Sequence, residues 1–267
     1  MTDQDEWQQW HEARIERLRR PHGSLALIGT HWLAEEPAPI IEGEPVLWSG
    51  DAKTITVTAA AEHGLVFEGE PIDGTVTLYP DTAPNPSTVT AGDLLLRFIE
   101  RDGAPALRVY DPNAATRQDF DGVATFDFAP AWVLPATFTP YDSRRTESVL
   151  NADGVHRGLH LAGTVSFTVP AAADGSAPAT AYSLAVEAND DGTLSAVIAD
   201  ATSGKSTYRF RFLTFPAPDA EGRTVADFNR AYLPPCAFVD HYVCPVPPAG
   251  NTLPFPIEAG EQSVQTR

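Results

Sequence analysis

Residues 182–213 read YSLAVEANDDGTLSAVIADATSGKSTYRFRFL. Apolar and polar side chains alternate through residues 182–188, 193–199 and 206–213, the period of two that turns one face of a strand toward a core. Asn189-Asp190-Asp191-Gly192 supplies a first turn and residues 200–204, DATSG, a second. The stretch therefore predicts a three-stranded antiparallel meander.

The same pattern extends outward from it. Residues 54–58, 74–79, 93–99, 106–110, 123–128 and 163–169 read as further strands, punctuated by Asp73-Gly74, Asp102-Gly103 and Asp153-Gly154. Many short strands at this spacing predict a mainly β fold of antiparallel sandwich-like or barrel-like sheets, not a parallel α/β sheet. A division near residues 95–105 would separate an N-terminal helix with a small β unit (1–100) from a larger β domain (101–267), unless the two are continuous. Residues 170–180, PAAADGSAPAT, predict an exposed loop between strands.

The chain opens with a predicted helix over residues 2–20. Thr2 and Asp5 form the pattern of a capping box, Trp7, Trp10, Ile15 and Leu18 lie near helical spacing, and Pro21-His22-Gly23 ends it. Its tryptophans either pack on the body or meet a partner. From Phe215 onward proline is dense. Proline cannot donate to a ladder or sit inside a helix, which leaves one short helical turn at residues 224–232 and an extended Pro-rich wrap over the surface.

The formal net charge is −18, with two lysines, and 43% of residues are hydrophobic. That composition supports a packed core, argues against nucleic-acid and anionic-membrane partners, and includes no apolar run of membrane-spanning length. The charged first residues lack a signal-peptide core, so the expected location is cytoplasmic.

Residues 201–261 contain TSGKSTY, RFL, DFNRAYLPPCAF, CPVPP and IEAGE in order, preceded upstream by SLALIGTHWL and PAWVLPATFTPY. Together these resemble the family known as domain of unknown function 1684. The resemblance implies a set of positions rather than a reaction. The sequence departs from relatives after Trp32, where a forkhead-associated-like Gly-Ser-Asp turn is missing. It departs again after Tyr208, where Arg209 and Phe210 stand instead of glycines.

Several of these positions carry chemistry. Arg211, between Phe210 and Phe212 on a predicted strand, suits a carboxylate or phosphate ligand; otherwise it needs a buried partner such as Asp227 or carbonyls of the Pro-rich segment. Asp227 could act as general base or metal ligand with Asn229 orienting it, or both could cap a turn. Glu258 and Glu261 could share acid–base work or line a solvated edge, with Gly260 letting Glu261 turn back onto the body. Cys236, His241 and Cys244 offer three soft ligands but no fourth, and read alternatively as a disulfide or buried thiols.

No nucleophile elbow, phosphate loop, dinucleotide fingerprint or zinc-protease motif occurs. The reading favoured is a small-molecule, anionic-ligand binding β protein whose pocket lies at the C-terminal motifs. Arg211, Asn229, Tyr232, Tyr208 and Cys236 would contact the ligand. The alternative is a hydrolase-type enzyme in the same pocket, with Asp227 or Glu261 as base and Arg211 or Asn229 stabilising developing negative charge. No metal site is expected, and cofactor and oligomeric state stay undefined by sequence.

Overall fold

The computed structural model describes residues 2–170 and 178–267, so most of the loop expected at 170–180 lies outside the described residues. The fold is mainly β and antiparallel, with one long N-terminal helix, α1 (Asp3–Leu18). Its capping box forms: Thr2 N–H donates to Asp5 Oδ2 at 2.8 Å and Asp5 N–H to Thr2 Oγ1 at 3.2 Å. No helix among the described residues is long and apolar enough to cross a membrane.

The chain divides into two compact units, residues 16–119 and residues 1–15 with 120–267. The boundary thus falls at 119/120 instead of 95–105, and the first fifteen residues group with the C-terminal unit. The physical reason for the later boundary is the hairpin at Asp102-Gly103. Both residues take positive φ, 51° and 84°, as a tight primed turn requires. The hairpin sends residues 104–110 back into the N-terminal sheet.

In the 16–119 unit, strands β1 (Leu27–Trp32), β2 (Leu47–Gly50), β3 (Ile55–Ala59), β4 (Leu65–Phe67), β5 (Glu70–Pro71), β6 (Gly74–Leu78), β7 (Thr88–Ala91), β8 (Leu94–Arg101) and β9 (Ala104–Tyr110) form two sheets. One has the order β1-β9-β8-β7-β4-β5 and the other β2-β3-β6. Trp48, Ile55, Val57 and Leu78 of the smaller sheet share a core with Val89, Phe98 and Leu107 of the larger. The expected sandwich is therefore present.

The second unit contains β10 (Phe120–Thr125), β11 (Val133–Leu150), β12 (His156–Val169), β13 (Thr180–Ala188), β14 (Leu194–Ile198), β15 (Arg211–Phe215), β16 (Arg223–Asp227) and β17 (Glu261–Thr266). Six of them make one antiparallel sheet, β15-β14-β13-β12-β11-β16, while β10 pairs with β17. The six-stranded sheet curls as a half-barrel around Val165, Leu184, Ile198, Leu213, Phe215 and Phe228.

The meander is present with one correction. Its third strand starts at Arg211, because residues 200–210 spend their polar groups on local turns. Asp200 Oδ1 accepts from the Thr202 N–H and hydroxyl, and Thr202 Oγ1 meets Thr207 Oγ1 at 3.0 Å. The expected helical turn at 224–232 is strand as far as Asp227, followed by a 3₁₀ turn (Phe228–Arg230).

The Pro-rich wrap is also not confined to the surface. Residues 251–259 alternate, with Asn251, Leu253, Ile257 and Ala259 buried, Phe255 half-buried, and Thr252, Pro254, Pro256 and Glu258 exposed; Gly260 and Glu261 are both buried. The prolines sit on the outer positions of an extended chain, where their missing donors cost nothing. Asn251 then clips the segment to the sheet. Its amide exchanges hydrogen bonds with the backbone of Ala185 (2.8 and 2.9 Å) and donates to Val197 O at 3.0 Å.

Candidate functional site

Three clusters in the second unit hold the residues singled out from the sequence. The first is built on Arg211, whose side chain is 0% exposed. Ile198 pairs with Arg211 across β14 and β15, which carries Asp200 to the arginine. Arg211 Nη2 donates to Asp200 Oδ2 at 2.8 Å and to Ile257 O at 3.1 Å, and Nη1 donates to Ala259 O at 2.5 Å. Burial pulls the guanidinium pKa down, and the adjacent Asp200 carboxylate opposes that pull. The ligand contact expected of Arg211 is not what this geometry offers, because its Nη groups donate to an internal ion pair and to carbonyls and the whole side chain is buried. The buried partner is Asp200, not Asp227.

The second cluster joins α1 to β17. Gly260 has a φ of 81°, and a Cβ there would come within 2.5 Å of Ala231 O, so only glycine permits the turn. The turn drives Glu261 inward to 0% exposure. Arg14 grips its carboxylate, Nε to Oε1 at 2.6 Å and Nη2 to Oε2 at 3.1 Å, and Leu233 N–H adds a donor at 2.7 Å. Both oxygens are occupied, which removes the room a general base needs. Glu258 stays exposed, as a solvated edge would.

His11 lies 3.8 Å from Glu261 Oε1 on the same helical stripe. Burial lowers its pKa, helped by Arg14 and resisted by Glu261 and Glu12. Folding therefore favours the neutral ring, and its stabilising contribution is complete above the unfolded value and declines as pH falls through about 6.5. The melting temperature should drop across that range more for the wild type than for His11→Gln; identical pH profiles would contradict it.

The third cluster is DFNRAY, residues 227–232. Asp227 caps the 3₁₀ turn, its Oδ1 accepting from the Asn229 N–H at 3.1 Å and Nδ2 at 3.0 Å. Asn229 is buried and exchanges two bonds with the backbone of Ala129, while its carbonyl accepts from Trp7 Nε1 at 2.7 Å. This is a clip between segments, which accounts for Asn229 without a ligand. Arg230 has Nε 3.2 Å from Asp227 Oδ2 and lies over the Trp10 ring, 5.9 Å from its centroid.

Beside this turn opens a cleft of about 390 Å³ lined by Trp10, Phe215, Val225, Asp227, Arg230 and Tyr232. Two of the expected site residues, Asp227 and Tyr232, thus face one space, and Arg211, Asn229 and Glu261 do not line it. Tyr208 and Cys236 lie elsewhere, where the Tyr208 hydroxyl donates to Cys236 O at 3.2 Å. Cys236 and Cys244 are free thiols, and no group of metal-ligating side chains occurs among the described residues. His11 and Arg14 were not anticipated, and Trp10 was expected to pack on the body or meet a partner, not to line this cleft. The signal lay in the helix itself, since Trp7, Trp10, His11 and Arg14 follow the i, i+3, i+4, i+7 rule for one stripe.

A family model described as "Protein of unknown function (DUF1684)" matches residues 118–262. An uncharacterized protein of Haloarcula marismortui, solved by solution NMR, is 30% identical, with alignment over 55% of this chain and 79% of that one and a TM-score of 0.43. Comparison with curated proteins finds no match.

Proposed function

Because the chain belongs to the DUF1684 family, whose description carries no activity, we propose from the geometry that it binds a small anionic molecule in the cleft beside DFNRAY. The observation that carries this reading is a cation set among apolar walls. The Arg230 side chain is 37% exposed, and Trp10, Phe215, Val225 and Tyr232 surround the same space. Asp227 approaches Arg230 at Nε, and a guanidinium offers four further N–H donors in a planar fork suited to carboxylate or phosphate. The volume, about 390 Å³, suits a metabolite-sized ligand. The anion contact expected of Arg211 moves in this reading to Arg230. A hydrolase is less well supported, since both Glu261 oxygens and Asp227 Oδ1 already accept protein donors and Asp227 Oδ2 is ion-paired with Arg230.

Thermal denaturation with benzoate, citrate, inorganic phosphate and a nucleoside monophosphate tests the proposal. A ligand at about a hundred times its dissociation constant should add roughly 2.7 kcal/mol to the wild type. Arg230→Gln should abolish the gain while leaving the unliganded melting point nearly unchanged. Equal stabilisation of both proteins by every anion that acts would sink the proposal, as would a silent panel.

A further inference from the structure

Cys236 lies apart from the DFNRAY cleft, and its surroundings are not those of an inert core thiol. The Cys236 N–H donates to Cys244 Sγ at 3.4 Å, which sets the two free thiols side by side. The Tyr208 hydroxyl stands 3.8 Å from Cys236 Sγ. Arg209, whose Nε donates to that hydroxyl at 3.3 Å, adds a cation beside the Tyr208–Cys236 pair. A second thiol, a phenol and a cation thus surround one cysteine, whereas a packing cysteine has apolar neighbours. The hydrogen bond from Cys244, against the opposing effect of burial and with help from Tyr208 and Arg209, brings the thiol pKa down to about 7.

We infer that Cys236 is a modification site for small hydroperoxides, with Cys244 as its resolving thiol. The Cys236 thiolate attacks one peroxide oxygen, the O–O bond breaks, and the departing hydroxide takes up a proton to leave as water. Cys236 is then a sulfenic acid. The Cys244 sulfur attacks it, the S–O bond breaks, a second water leaves with the Cys244 proton, and the S–S bond forms. Two thiols give up two electrons and hydrogen peroxide becomes two waters. Arg209 stabilises the attacking thiolate, and Tyr208 holds Arg209 in position. Both thiols are 6% exposed, which selects a small oxidant.

The full-length folded chain treated with hydrogen peroxide at neutral pH, then analysed by intact mass and by alkylation after unfolding, decides the matter. The expected product has lost two hydrogen atoms and both thiols. In Cys244→Ser, dimedone should trap a sulfenic acid at Cys236. Tyr208→Phe should slow disulfide formation by about threefold or more, because a thiol titrating above the assay pH holds less thiolate. The wild-type rate, which needs no variant to fold, should rise with pH around a midpoint of about 7. Two free thiols after peroxide treatment, or dimedone trapped on Cys244 alone in the wild type, would overturn the inference.

Discussion

Replacing Arg211 by methionine is expected to destabilise the second unit by about 3–5 kcal/mol, the cost of leaving one member of a buried ion pair uncompensated. Asp200 Oδ2 would lose its cation at a position of 0% exposure. The carbonyls of Ile257 and Ala259 would lose their donors at the same time. Methionine fills much of the vacated volume, so the loss reports electrostatics and hydrogen bonding more than a cavity. Urea denaturation at unchanged m-value measures it. A shift below about 1 kcal/mol would place Arg211 among ordinary surface-like substitutions and refute its role as the internal tie between β14, β15 and the 251–261 segment.

Arg14→Ala is the second large effect, with an expected loss of about 3 kcal/mol for breaking a mostly buried pair. Glu261 would keep the Leu233 N–H as donor, and His11 at 3.8 Å as a potential cation. Arg14 also lies over the Tyr232 ring, 4.6 Å from its centroid, so its removal loosens one wall of the cleft. Glu261→Gln should cost less, since an amide oxygen still accepts from Leu233 without leaving a charge buried. Finding Glu261→Gln the more damaging of the two would reverse the argument. Alanine at position 14 should also weaken any anion binding measured at Arg230, through Tyr232.

What the sequence disclosed of this protein follows from how local each signal is. The period-two runs and Asp-Gly turns announced the sandwich, the meander and the capped helix, because strand alternation and turn chemistry are written in neighbouring residues. The strand Val133–Leu150 escaped notice, since Pro135 and Pro140 interrupt its pattern, and so did the inward alternation of residues 251–259, masked by Pro254 and Pro256. Partners distant in the chain were hidden altogether. A buried arginine was foreseen, but nothing near residue 211 designated Asp200, whose DATSG setting reads as a turn. Gly260 did signal the inward course of Glu261, whereas Arg14 lies 247 positions away. Much of the family signature has this structural origin. Trp132 of PAWVLP meets Phe228 of DFNRAY at 5.8 Å and stacks on Phe255 at 6.1 Å. Motif order alone therefore marks the core as strongly as any site.

The unit that joins residues 1–15 to 120–267 is interrupted in the chain by all of residues 16–119. On a ribosome this becomes a matter of timing. The stripe of Trp7, Trp10 and Arg14 is made before residues 16–119, while Asn229, Leu233 and Glu261, which receive it, are made after them. At about 5–20 residues per second the helix waits roughly ten seconds to a minute for its partners. Residues 16–119, being contiguous, have no such delay. The newborn chain therefore carries an unsatisfied tryptophan-and-arginine surface until residues 229–261 have emerged, and any holding factor that recognises exposed aromatic helices has that long to find it.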